Sequence, residues 1–145
     1  MEADPLEVLK LGTYVGSCLG LGGLCAYSAV AAVLDANKRV LYARDQRGTV
    51  VARQLVAVSK DDRLVCFDVY PLSTNAALKR IFREYDAAFA AALGLPVYRP
   101  SREDEYDIEF VIASQWWDDY IDEAGANRGE EKPKKPLANR NRDPL

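Results

Sequence analysis

Cys18, in the glycine-rich run TYVGSCLGLGG (Thr13–Gly23), is the residue of this chain best placed for nucleophilic chemistry. Backbone amides near a helix start lower a thiol pKa, and glycines let a ligand approach the backbone. The 145 residues include no histidine, however. That removes Ser–His and Cys–His dyads, the imidazole general base and most zinc and iron ligand sets. A Cys18 nucleophile would need a carboxylate, lysine or tyrosine as its base. The reading preferred here makes Cys18 a small apolar packing group and the glycines points of close packing, so no catalytic residue is assigned. The run also lacks the GK[ST] ending of a phosphate-binding loop and the strand–GxGxxG–helix order of a dinucleotide site.

Charged residues offer two further chemistries. Asp118, Asp119 and Asp122 form a DDxxD string, which on a helix could hold magnesium for a diphosphate. It reads instead as a solvated helix face, and no metal site is assigned. The cations Arg44, Arg47, Arg53, Lys79, Arg80, Arg83, Arg99 and Arg102 are the only cluster in the body able to meet an anion. Arg44 and Arg53 are expected to be neighbours across a hairpin. Lys79, Arg80 and Arg83 fall near a helix start, where the dipole adds positive potential. Lys79, Arg80, Arg83, Arg44 and Arg53 are therefore the candidate anion-binding set, for phosphate or carboxylate. Otherwise the cations pair with Asp45, Asp68, Glu84 and Asp86. Trp116 and Trp117 are candidate anchors for a protein partner.

These side chains need a scaffold, and Lys38–Pro71 supplies one. Three apolar, β-branched runs separated by DQRG (Asp45–Gly48) and SKDD (Ser59–Asp62) spell an antiparallel meander over 39–70. Gly48 is placed for positive φ. Alternation puts Val65, Phe67 and Val69 on one face of the third strand and Leu64, Cys66, Asp68 and Tyr70 on the other. A helix over 75–93 follows, capped by Ser73, Thr74 or Asn75 and ended by Gly94. Leu78, Ile81, Phe82, Tyr85, Ala88, Phe89, Ala92 and Leu93 form its apolar stripe, with Asp86 away from it. Leu95–Tyr98 is an expected edge strand. A second covering helix is expected at about 24–36, ended by Asn37 in the left-handed conformation, and a short helical turn after Pro5. Residues 114–124 read as a further helix, and Ile108–Ala113 fits strand or helix. The fold class is α+β, with a three- to five-stranded, mainly antiparallel sheet covered by helices.

Residues 1–124 read as one domain with a Gly-rich segment at 12–23, carrying 13 basic and 19 acidic side chains. Residues 125–145 carry 6 basic and 3 acidic ones and three prolines, and read as a disordered basic tail. An acidic body gives no strong nucleic-acid signal. Leu11–Leu34 has no charge, and Gly12, Gly16 and Gly20 recur every fourth residue as in paired membrane helices. Its polar residues and Gly22–Gly23 favour a loop plus a buried helix, so a membrane is not the expected partner. Cys18, Cys25 and Cys66 are odd in number without a CxxC pair, and MEADPLEV lacks a basic leader; both suit the cytoplasm.

The meander, then Tyr70–Pro71, then a helix ending Gly94-Leu95-Pro96, resembles the central half of the GNAT acyltransferase superfamily. That resemblance implies acyl-CoA bound at the strand-to-helix junction, by the amides around Thr74–Ala77 with Lys79 and Arg80. The family's Arg/Gln-x-x-Gly-x-Gly/Ala loop is missing, since Val69–Arg80 contains no glycine. Val15–Tyr70, with Gly16-Ser17-Cys18 before VLYAR and VVARQL, resembles PcfJ-like domains of bacterial mobile elements, whose order is Cys-Val-Gly. No complete catalytic constellation is present. The leading expectation is a binding or interaction module without a cofactor, taking a protein partner or self-associating. The alternative is a degenerate GNAT-like enzyme using acyl-CoA.

Overall fold

The hairpin at the centre of the molecule follows from its turn chemistry. The structure is a computed structural model, and it describes residues 1–23, 26–59 and 61–100. Strand β1 (Lys38–Arg44) pairs antiparallel with β2 (Val50–Val58), Leu41 opposite Gln54 and Tyr42 opposite Arg53. Asp45 Oδ1 accepts from the N–H groups of Arg47 and Thr49, both at 2.9 Å, and Gly48 takes φ 81°. That left-handed residue, with a register shift between Ala43 and Arg44, is the expected turn with a bulge. The ladder partner of Arg44 is Val50, and Arg53 stands opposite Tyr42, two residues from Arg44 along β1.

β3 (Leu64–Cys66) pairs antiparallel with β2, and β4 (Val97–Tyr98) runs parallel to β3 at the edge, giving the order β1-β2-β3-β4. The third strand is shorter than the sequence suggests, because pairing breaks after Phe67. The Phe67 N–H donates to the Leu55 carbonyl at 3.0 Å, whereas Tyr70 exchanges backbone bonds with Arg53 at 2.8 and 2.9 Å. Asp68 and Val69 therefore share the position opposite Gln54, a bulge of one extra residue. The Gln54 side-chain amide donates to the Phe67 carbonyl at 2.9 Å within it. In consequence Val69 joins Leu64 and Cys66 on one face and Tyr70 crosses to the other, which corrects the simple alternation. The Tyr70–Pro71 peptide is cis.

Helical layers cover both faces of the sheet. On one lie α1 (Pro5–Leu9), a run of turns, and α2 (Tyr27–Leu34), burying Val8, Leu11, Leu19, Ala29 and Ala32 against Val40, Leu55, Val65 and Phe67. α1 starts at Asp4, whose side chain caps Leu6 N–H, with Pro5 in its first turn. The glycines between the two helices let backbone meet backbone: a Cβ on Gly12 would lie 2.1 Å from Gly20 N and from Leu19 C. Residues 12–23 form turns, so the four-residue glycine spacing is no helix-pairing face. No helix among the described residues is long and apolar enough to cross a membrane. α2 stops at Asp35, whose backbone is extended, rather than running to 36 and a left-handed Asn37. Asn37 instead donates from its amide to the Val58 carbonyl at 2.9 Å. Expectations for residues 101–145, including Ile108–Ala113, the helix at 114–124 and the tail, lie outside the described residues.

α3 (Ala76–Leu93) covers the opposite face. Its ends are those the sequence marks: Asn75 Oδ1 accepts from Leu78 N–H at 2.9 Å, and Gly94 takes φ 69°. The Leu95 N–H returns to the Ala90 carbonyl at 3.0 Å, satisfying the last turn.

Candidate interaction surface on the third helix

The side of α3 that meets the sheet is not the side its apolar residues select. Phe82, Asp86 and Ala90 are buried, flanked by the partly buried Leu78 and Phe89. Ile81 stays 56% exposed and Tyr85 41% exposed, with Ala88 and Ala92 beside them in solvent. At about 100° per residue this is roughly 60° of roll from the expected stripe. The cause is Asp86, expected outside and found 0% exposed. Its Oδ2 accepts from Arg99 Nη1 at 2.7 Å and from Gln54 Nε2 at 3.1 Å. Gln54 points to this face from β2, and Arg99 reaches it from just beyond β4. A carboxylate buried with a guanidinium partner on a different element fixes the roll of the helix, because moving it would strand a charge.

Among the described residues, two buried acceptors of this node, Asp86 Oδ1 and Gln54 Oε1, have no hydrogen-bond partner, and such atoms cost folding free energy. Cys66 lies on the same face. Burial foremost, and then the negative charge of Asp86, pushes its thiol well above the usual range, so it stays protonated.

The roll leaves a ridge along the outer side of α3. Ile81, Tyr85, Ala88 and Ala92 follow one another at intervals of four, three and four, the spacing of a helix-pairing seam. Tyr85 leans on Phe89 with ring centroids 6.1 Å apart, which links the ridge to the core. One flank carries Arg80 and Glu84, paired with each other at 3.2 Å. Other exposed apolar residues lie elsewhere: Leu6 on α1, Leu21 in the turns, and Val30 and Leu34, four apart on the eight-residue α2. The α3 ridge differs in its length, from Ile81 to Ala92 on an 18-residue helix capped at both ends.

The candidate anion set is not brought together. Arg44 lies on the α1 side, ion-paired with Glu2 at 3.0 Å and Glu7 at 3.3 Å. Arg53 is fully buried on the same face, its Nη2 donating to Ser17 Oγ at 3.3 Å and its guanidinium 4.5 Å from the Tyr70 ring centre. Lys79, Arg80 and Arg83 stand on α3, across the sheet. Lys79 Nζ donates to the Leu72 carbonyl at 2.8 Å, and Arg83 is exposed. Around the strand-to-helix junction, Thr74 N–H donates to Pro71, and Lys79 N–H to Asn75. Cys18 is partly buried, packed against the α1–α2 core. Trp116, Trp117, Asp118, Asp119 and Asp122 lie outside the described residues.

Sequence reading missed the Gln54–Asp86–Arg99 node and with it the exposed ridge. The available signal was local: Asp86 has Phe82, Phe89 and Ala90 at i−4, i+3 and i+4, the neighbours of an inward residue. No family model, curated protein or solved structure matches this chain.

Proposed function

We propose that this chain is a binding module that presents the outer side of α3 to another polypeptide. The observation that carries the reading is a helix that buries an aspartate while its isoleucine and tyrosine face water. A helix covering a sheet gains most by turning its apolar side inward, at about 1.5–3 kcal/mol for each large side chain. This one is held the other way by the Asp86–Arg99 ion pair and the Gln54 hydrogen bond, at the cost of two unsatisfied acceptors. An exposed apolar ridge beside a buried charge is the combination that marks a recognition surface rather than a packing surface. Tyr85 has the character of an anchor, with a broad apolar ring and a hydroxyl at the rim. The acyl-CoA alternative draws no comparable support, since the Lys79 ammonium donates to the Leu72 carbonyl and Arg80 pairs with Glu84.

The test is a photo-crosslinking residue placed at 85 in the full-length chain, in the cells that express it, against the same residue at Gln46 in the exposed β1–β2 turn. Discrete adducts at 85 that are absent at 46, and lost when Ile81→Asp is added, support the reading. Equal labelling at the two positions removes α3 as the recognition surface.

A further inference from the structure

Resting on that reading, we propose that the polypeptide met by α3 is a second copy of this chain, its α3 packed antiparallel about a two-fold axis. The ridge is complementary to itself. Its N-terminal half carries the large side chains Ile81 and Tyr85, and its C-terminal half carries the exposed Ala88, Ala91 and Ala92. A two-fold axis passing between Asp86 and Ala87 sets Ile81 opposite Ala92 of the second copy, and Tyr85 opposite its Ala88. Each large side chain then fills the space above an alanine, twice over, as an isologous interface requires. A parallel pairing would oppose Ile81 to Ile81 and Ala88 to Ala88, leaving a clash at one end and a gap at the other.

Spacing and charge agree with this arrangement. Steps of four, three and four keep the ridge on one line as two helices cross at about +20°. Alanines allow the axes to approach to about 8 Å, the close end of the usual range. The ridge has no charged residue. On its flank Arg80 and Glu84 neutralise one another and, under this two-fold, come level with Leu93 and Phe89 of the second copy rather than with like charges. One helix pair is a small interface, so the dimer is expected to be reversible, with dissociation in the range of about 1–100 µM.

Sedimentation equilibrium of the full-length chain tests this from roughly 1 to 500 µM, a range that brackets such an affinity. The expected result is a reversible rise from one chain mass to two. Ala88→Arg, a substitution in solvent on a helix, should weaken association by at least about tenfold while leaving the helical circular dichroism unchanged. Register is read by oxidation, against the unsubstituted chain as background for its own cysteines. A mixture of I81C and A92C chains should form the crosslinked dimer. I81C alone should not, because the two positions 81 are then about 16 Å apart along the axis. A chain that stays monomeric throughout, an association indifferent to Ala88→Arg, or faster crosslinking of I81C alone would each overturn the proposal. Adducts at 85 with a different polypeptide, from a chain that is monomeric in solution, would overturn the dimer and leave the binding module standing.

Discussion

Arg53 and Gln54 are consecutive on β2 and point to opposite faces of the sheet, and the polar groups that they gather affect the two covering layers differently. Arg53 is a strand residue reaching outward into its cover. It meets Ser17 and stacks on Tyr70, while Val8, Leu11, Leu19, Ala29 and Ala32 above it all remain inside. Asp86 is a helix residue reaching inward, toward Gln54 and Arg99. Turning it in turns the whole helix, and Ile81 and Tyr85 come out. A charge buried from a strand leaves the apolar order of its cover intact. A charge buried from a helix selects which stripe of that helix the solvent sees.

The largest expected effect sharpens the contrast within α3. Phe82→Ala should destabilise the fold by about 3–5 kcal/mol, whereas Ile81→Ala, one residue away, should stay within about 0.5 kcal/mol. Urea midpoints at unchanged m-value measure both, and equal losses would break the inward–outward assignment. Next comes Arg99→Leu, which leaves the Asp86 carboxylate buried with Gln54 alone. It should cost about 2–3 kcal/mol, below the full figure for a buried pair because Arg99 is partly exposed. Adding Asp86→Leu should recover most of that loss. No recovery would mean that the ion pair does not set the roll.

On the other face the weak point is backbone spacing. Gly12→Ala forces a Cβ into the Leu19–Gly20 backbone and should cost about 1–3 kcal/mol. Gly22→Ala meets nothing within 4 Å and only the strain of φ +78°, about 1 kcal/mol. Reversal of that order would mean that the turns do not pack as described.

The smallest effect is on pH. Glu7 accepts from Lys10 at 2.9 Å, Tyr14 at 2.7 Å and Arg44 at 3.3 Å. Lys10 foremost, and then Tyr14, holds its carboxyl down to about 2 from an ordinary 4.5. A depressed folded pKa gives stability that is fully present above pH 4.5 and lost as pH falls through about 2. Glu7→Gln should therefore lower Tm slightly at pH 7 and match the parent near pH 2. A gap that persists at pH 2 would show that the ionised carboxylate is not what counts.

Much of the scaffold was legible because it is coded locally. Gly48, Asn75 and Gly94 each mark a turn or cap by their own conformational preference, and they stand where the sequence places them. The bulge at Asp68–Val69 was not legible, because its cause is a side chain of the neighbouring strand, Gln54 bonding the Phe67 carbonyl. The roll of α3 was hidden for the same reason. An amphipathic pattern counts apolar residues, while the deciding pair joins Asp86 to Arg99, 13 positions later and beyond an edge strand. The placement of the anion set was not legible either, since topology divides Arg44 and Arg53 from Lys79, Arg80 and Arg83 across the two faces of the sheet.

Cysteine scanning of α3 with Asp86 left in place separates the two orientations of the helix, reading thiol-labelling rates of the folded chain in dilute solution, one substitution at a time at 81, 82, 85, 88, 90 and 92. Fast labelling is expected at 81, 85, 88 and 92 and strong protection at 82 and 90. Protection at 81 and 85 with fast labelling at 90 would contradict this, placing the apolar stripe inside and the opposite side of the helix in water.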